Sequence, residues 1–362
     1  PSFVDFFWTV RQMHEPIWML GRVASKLIPA KVYHTISTGY AGFLGTLLHY
    51  RTGHPLILSE HGIYNKERQI DLLQFNWLKD NRLSFEKGTE QFGYLQQLWI
   101  RFYGTLGRMC YEAANPIVSL YDFNRQRQIQ DGADPSRTQI IPNGIPVERF
   151  EPLRNRRPSV PPPVLCLIGR VVPIKDVKTF IRTMRTVVNR IPEAEGWIAG
   201  PEDEDQEYVQ ECRKLIENLG LTGRVKFLGF QKVEELFPRM GLLVLSSISE
   251  ALPLVILEGF AAGVPAVSTD VGACRELIYG RGPEGDGLGP AGAVVPMANP
   301  AALAEAALSL LEQPDQWQAA QEAGIRRVQS LYTQTDMIEA YRKIYTGALE
   351  VWQESALSSA RS

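Results

Sequence analysis

Six short apolar runs, near Val164, Trp197, Val225, Leu242, Ala266 and Ala293, are separated by segments of helical spacing, and this alternation constrains the second half of the chain most strongly. Strand alternating with helix is the signature of a doubly wound parallel sheet, whose ligands bind outside the carboxyl ends of the strands. Gly169, Gly229, Glu250 and Gly272 each closely follow one of these runs, so they are expected to converge on one rim. Helical patterns over residues 301–313 and 315–331 complete this domain, and a further helical pattern covers residues 336–352. No short-period internal repeat is present.

The first half also alternates. Strands are expected over residues 31–36, 55–59, 116–120 and 139–141, and helical spacing covers residues 39–50, 65–79 and 94–114, with residues 124–130 bridging the last two strands. Asn143-Gly144 then makes a turn. Residues 151–163 hold five prolines and three arginines, a composition that stiffens a connector. The expected organisation is a first Rossmann-like domain over residues 1–150, a linker over 151–163, a second Rossmann-like domain over 164–334 and a terminal helix over 335–362.

A chain of 362 residues exceeds what one core usually supports, and 44% hydrophobic residues is ordinary for a globular protein. The net charge of -2 provides no basic field for nucleic acid. Cys110, Cys166, Cys212 and Cys274 are widely spaced, which fits reduced thiols better than a disulfide or zinc framework, and Cys166 is expected in the core. No run reaches the roughly 18 to 20 apolar residues needed to span a bilayer. The aromatic stretch from Phe3 to Leu20 is interrupted by Asp5, Arg11 and Glu15, and interior packing is expected for it over contact with a membrane surface.

Chemistry concentrates in SEALPLVILEGFAAGVPAVSTDVGACREL, which starts at Ser249. Pro253 suits the first helical turn, placing Glu250 in the loop before the helix and Glu258 about two turns inside it. A helix start offers free N–H groups and a partial positive charge, so a nucleotide diphosphate could sit at Leu254 and Val255 with a carboxylate on either side for sugar hydroxyls. Upstream, Gly169-Arg170-Val171-Val172-Pro173-Ile174-Lys175 reads as a glycine turn with two cations spaced to reach phosphate oxygens. Two glutamates or two cations alone are ordinary surface features. In the first half, His61 ends a strand and opens a glycine-containing loop, and His34 also ends a strand.

Taken together in chain order, Asn143-Gly144, the Gly169 to Lys175 turn, the Glu250 and Glu258 pair and Gly272 resemble the family 4 retaining glycosyltransferases of the GT-B fold, over about residues 33–277. STGYAGFLG from Ser37, SEHGIYNKER from Ser59 and GPEDEDQEYVQECR from Gly200 are similar to the PelF group, which acts in Pel exopolysaccharide biosynthesis. The resemblance implies an α/β GT-B fold, two doubly wound domains facing a cleft, with the terminal helix crossing back to the first domain, and with that domain incomplete because the family's opening strand, glycine loop and helix do not precede Pro1.

It also implies a metal-independent hexosyltransferase with no cofactor, using a UDP-sugar, UDP-glucose in the best-known members, as co-substrate and a glycan as acceptor. By the same resemblance, His61 contacts the donor sugar near its reacting carbon. Arg170 and Lys175, beside Gly169, neutralise the diphosphate, Glu250 accepts from hydroxyls of the transferred sugar and Glu258 holds the ribose. Phe230, in Phe227-Leu228-Gly229-Phe230, lies by the uracil. The implied location is cytoplasmic, peripheral to an inner-membrane secretion complex. A donor-binding but inactive scaffold, a GT-B epimerase or phosphorylase and a glycoside hydrolase remain as alternatives; a hydrolase would need two carboxylates but no phosphate-binding cations.

Overall fold

The computed structural model describes residues 2–74, 93–282 and 285–359. It divides into two compact units, Asn143–Ile338 and a unit made of Pro1–Pro142 with Glu339–Ser362. Both are α/β with wholly parallel sheets.

In the first unit the order is α1 (Phe3–Lys26), β1 (Tyr33–Thr35), α2 (Tyr40–Thr52), β2 (Leu56–Glu60), α3 (Tyr64–Gln74), α4 (Tyr94–Ala113), β3 (Ile117–Ser119), α5 (Asp122–Gln130) and β4 (Thr138–Ile140). The strands lie side by side in chain order, β1-β2-β3-β4. Their central residues Ile57, Leu58, Ile117 and Val118 are buried, as apolar runs covered on both faces require. Residues 75–79 of the helix expected after His61 lie outside the described residues.

The second unit contains α6 (Val147–Arg154), β5 (Val164–Ile168), α7 (Val177–Arg190), β6 (Glu195–Ala199), α8 (Gln206–Asn218), β7 (Val225–Gly229), α9 (Val233–Leu236) and β8 (Leu242–Leu245). There follow α10 (Leu254–Ala261), β9 (Ala266–Thr269), α11 (Cys274–Tyr279), β10 (Gly292–Val295), α12 (Pro300–Leu311) and α13 (Pro314–Leu331). The sheet order β10-β9-β8-β5-β6-β7 reverses direction between β5 and β8, the topological switch point of a Rossmann sheet. All six expected strands are present.

Helix α7 shows how the pattern forms the fold. Val177, Phe180, Ile181, Met184 and Val187 recur on one face and are all buried, and Asp176 caps the helix by accepting from the Thr179 N–H at 3.2 Å. The last helix, α14 (Gln334–Ser359), begins in the second unit, and its residues from Glu339 onward group with the first. There its buried Ile344 and Ala348 join the packing, and Trp352 sits edge-on to His54 at 6.1 Å.

Two features differ from the pattern-based expectation. The aromatic face of α1 is not interior: Phe3 is 79% exposed, Trp18 66%, Trp8 50% and Phe7 49%, whereas only Thr9, Met13 and Ala24 of the helix are buried. Charges at three positions divide the apolar residues between faces, so periodicity alone overstated what one side could bury. The proline- and arginine-rich stretch after Glu151 packs within the second unit. Arg154 Nε donates to the Ala261 carbonyl at 2.8 Å, Arg157 Nη1 donates to the Phe237 carbonyl at 2.5 Å, and the Arg157 guanidinium lies over Trp317 at 5.2 Å. These cations serve orphan carbonyls at element ends, which composition cannot signal.

All four cysteines are free and buried. No helix among the described residues is long and apolar enough to cross a membrane.

A buried cation fastens the loop between α11 and β10. Arg327, fully buried on α13, donates from Nε and Nη2 to the two oxygens of Asp286 at 2.6 and 2.7 Å, and also to the carbonyls of Ile278 and Gly289 at 2.8 and 2.7 Å. Hydrogen bonding from Arg327 holds the Asp286 carboxyl below its ordinary pKa. Asp286→Asn is expected to remove about 3 to 5 kcal/mol of unfolding free energy at neutral pH, because it strands the buried guanidinium. The depressed pKa makes this stabilisation complete above the ordinary carboxylate range and progressively lost as pH falls through the folded-state value. Denaturant titrations of both proteins between neutral and acid pH check this.

Candidate functional site

At the switch point the loops leaving β5 and β8 are tied together. The turn after β5 runs through Gly169 and Arg170 to a short 3-10 segment, Pro173–Lys175, and its Ile174 carbonyl accepts from the Ile248 N–H at 2.9 Å. Ser246 Oγ donates to the carbonyls of Lys175 and Asp176 at 3.0 and 2.9 Å. Lys175 Nζ then forms an ion pair with Glu250 Oε1 at 2.6 Å, and Ser247 Oγ donates to the same oxygen at 2.7 Å. Only 21% of the lysine side chain and 12% of the glutamate side chain are exposed, so this is a sheltered pair rather than a surface one.

A third loop supports Glu250 from behind. Gly272, at φ +54, brings its backbone so close that a Cβ would lie 2.4 Å from the carbonyl oxygens of Glu250 and Ala251. The Ala273 N–H donates to the Ala251 carbonyl at 2.8 Å. Any side chain at Gly272 would displace Glu250.

Helix α10 begins just beyond. Pro253 occupies its N-cap position, with Leu254 and Val255 the first two helical residues, whose N–H groups have no intrahelical partner. Leu254 is exposed. Glu258 is the fifth residue, a little over one turn in rather than two, because the helix starts after Pro253. Its carboxylate is half-buried and has no hydrogen-bond partner among the described residues. Burial pushes its pKa above the ordinary value, opposed by Arg149 and reinforced by Glu234. Glu250 and Glu258 are thus in opposite conditions, one held by a cation and the other without a donor.

Arg170 does not face Glu250. Its Nη1 donates to both oxygens of Glu204, at 2.6 and 2.8 Å. Phe230, just past β7, is 81% exposed and follows Gly229, whose carbonyl accepts from the Gly200 N–H at 2.8 Å. The ends of β5, β6 and β7 therefore stand side by side, with Gly169, Gly200 and Gly229 on one rim.

Asp203 and Asp205 in the loop after β6 form a D-x-D spacing, which qualifies the expectation of a site without metal. Asp205 caps α8 by accepting from the Tyr208 N–H at 2.9 Å. Among the described residues no group of three or more His, Cys, Asp or Glu is placed to hold a metal ion.

His61 belongs to the other unit, where it follows β2. Its carbonyl accepts from Asn124 Nδ2 at 3.2 Å, and partial desolvation of the accessible ring holds its pKa below the ordinary value, so the imidazole is neutral at pH 7. His34 is engaged by Tyr345 Oη at 2.6 Å and Ser59 Oγ at 2.8 Å. Its pKa is lowered first by burial and then by His61.

Beneath the His61 loop lies a group whose importance has no signal in spacing. Glu60, 1% exposed, accepts from Thr38 Oγ1 at 2.9 Å, the Tyr64 N–H at 3.1 Å, Tyr111 Oη at 2.7 Å and Gln128 Nε2 at 3.2 Å. It joins β2 to the start of α3, to α4, to α5 and to the loop before α2. Burial still raises its pKa despite these four donors. Ser247 and Glu204 were likewise without a positional signal; Glu204 lies in a string notable for its resemblance, not for a role.

Residues 162–313 match the family described as Glycosyl transferases group 1, and residues 1–136 match a Domain of unknown function (DUF3492). The fold is that of the GT-B glycosyltransferases, and the group 1 match falls within the second unit.

The chain is 36% identical over 182 residues to an exopolysaccharide phosphotransferase of Streptomyces coelicolor, covering 48% of this chain and 17% of that protein. It is 27% identical over 265 residues to a D-inositol 3-phosphate glycosyltransferase of Geodermatophilus obscurus, covering 69% and 56%. The chain therefore spans little more than half the length of these relatives, or less. Among solved structures, Anabaena HepE in complex with UDP aligns with a TM-score of 0.69 at 18% identity, covering 91% of this chain and 82% of that one. At that identity the likeness is one of fold.

Glu60→Ala leaves the Tyr111 hydroxyl buried without its acceptor and the Gln128 amide with only a long bond to the Val118 carbonyl, at 3.4 Å. The expected result is a loss of about 2 to 4 kcal/mol of unfolding free energy. Thermal and denaturant unfolding of the whole chain measures it, with Thr38→Val as a smaller perturbation of the same hub.

Proposed function

We propose that the chain is a retaining hexosyltransferase that moves glucose from UDP-glucose to a growing exopolysaccharide, in the manner of the PelF group that its sequence resembles. The single observation that carries the donor site is the pairing of a sheltered Lys175–Glu250 contact with an unpartnered, half-buried Glu258 at the head of α10. A carboxylate kept partly out of water without a donor is suited to receive the two hydroxyls of a ribose. The Leu254 and Val255 N–H groups and the helix dipole suit a diphosphate, and Lys175 and Arg170 supply its counter-charge. HepE, which shares the fold, has been crystallised with UDP and with UDP-glucose, which supports a uridine nucleotide here.

In the proposed reaction the bond from the sugar's anomeric carbon to the diphosphate oxygen breaks and its electron pair leaves on UDP. The acceptor hydroxyl attacks from the same face and passes its proton to the departing phosphate, which gives retention. Fixed cations and N–H groups stabilise the charge that develops on UDP without reorganising, typically the largest catalytic term. Glu250 accepts from hydroxyls of the transferred sugar, Phe230 lies by the uracil, and the neutral His61 imidazole contributes a hydrogen bond near the reacting carbon. No metal takes part in this scheme, and the enzyme acts in the cytoplasm beside a secretion assembly.

UDP is expected to raise the melting temperature of the chain more than GDP or ADP does, because a ligand bound only by the native state stabilises it by mass action. Glu258→Gln should abolish most of the shift, and Arg170→Ala or Lys175→Ala should lower kcat by about 10²- to 10³-fold. Since the ribose hydroxyls favour the ionised Glu258, and burial raises that group's pKa, UDP affinity should climb as pH rises through the region just above the ordinary carboxylate range. The climb should be missing from Glu258→Gln. Equal shifts with all three nucleotides, or none, would contradict the assignment.

A further inference from the structure

We infer that Glu204 is a positioning residue for the donor diphosphate, acting through Arg170; this rests on the donor-site reading above. Arg170 leaves β5 on an exposed turn, and its side chain is 55% exposed, so nothing in its own loop fixes the guanidinium. The loop after β6 does. Backbone pairing of β5 with β6 continues past both strands, with the Gly169 N–H donating to the Ala199 carbonyl at 2.9 Å and the Val171 N–H to the Pro201 carbonyl at 3.0 Å. The two loops touch so closely that a Cβ on Gly200 would lie 2.0 Å from the Gly169 oxygen.

The acidic loop is itself secured on both sides of Glu204. Before it, Glu202 pairs with Arg213 at 2.5 Å, and that guanidinium lies over the Phe227 ring at 4.4 Å. After it, Asp205 caps α8. Glu204 is thus presented to Arg170 from a fixed base.

The geometry of the contact gives its purpose. Both hydrogen bonds use one nitrogen, Nη1, at 2.8 and 2.6 Å, and among the described residues Nε and Nη2 donate to nothing. A guanidinium binds phosphate best through two parallel N–H bonds. Glu204 therefore holds the end of the fork away from the ligand edge, so less side-chain freedom is lost when the diphosphate arrives. The opposing effect is repulsion between the carboxylate and the diphosphate, which Arg170 screens.

Isothermal titration of UDP into the full chain and its variants decides between these effects. Glu204→Ala should raise Kd about three- to fivefold, the scale of an exposed ion pair. Glu204→Gln, which keeps an acceptor without the charge, should fall between. In an Arg170→Ala background, Glu204→Ala should cause no further loss of affinity and, with the unscreened repulsion removed, should if anything lower Kd, whereas loss of a residue that merely held the loop would still weaken binding there. An unchanged or lower Kd in Glu204→Ala overturns the inference, as does an undiminished loss in the Arg170→Ala background. If Arg170→Ala binds UDP normally while Glu258→Gln does not, the inference falls together with Arg170's part in binding, and the donor site at Glu258 and the head of α10 stands. If the unaltered chain binds no UDP, both fall.

Discussion

The arrangement in the second unit depends on one constraint, the reversal of strand order between β5 and β8. Neighbouring strands whose following segments turn opposite ways leave their ends uncovered by connecting chain. Two loops far apart in sequence meet there, and the Ser246 hydroxyl and the Ile248 N–H bind the 173–176 segment to the start of the 246–253 segment. Lys175 and Glu250 can pair because that backbone contact already fixes their separation. Without the reversal, the head of α10 would be roofed over, and its free N–H groups would need a partner from the protein.

The two carboxylates of this region illustrate how environment divides labour between identical groups. Glu250 carries a cation and a hydroxyl on one oxygen, and its loop is pinned by the backbone of Gly272. Glu258, a little over one turn into α10, is partly desolvated and lacks a donor among the described residues. A buried polar group without a partner is costly, and such a cost persists where a ligand relieves it. Arg149, tied to Glu234, moderates the field around Glu258 without neutralising it.

Much of this was legible in the chain because the physics is local. The six strands of the second unit are continuous apolar runs, Pro253 marks a helix start, and Gly272, before α11, marks a close approach. The pairing of Lys175 with Glu250, 75 residues apart, is tertiary and had no local mark. Glu60, beside His61 at a strand end, carries no local mark of its burial or of the four elements it serves, because the residues that donate to it come from Thr38 to Gln128. The aromatic stretch of α1 misled for the converse reason: apolar content is local, but what covers it is not.

The most direct test of the central claim is a crystal structure of the full chain with UDP. The diphosphate should lie at the Leu254 and Val255 N–H groups, within reach of Lys175 and of the free edge of Arg170, with both ribose hydroxyls on Glu258. UDP bound elsewhere, or bound with Glu258 still lacking a donor, would contradict the account.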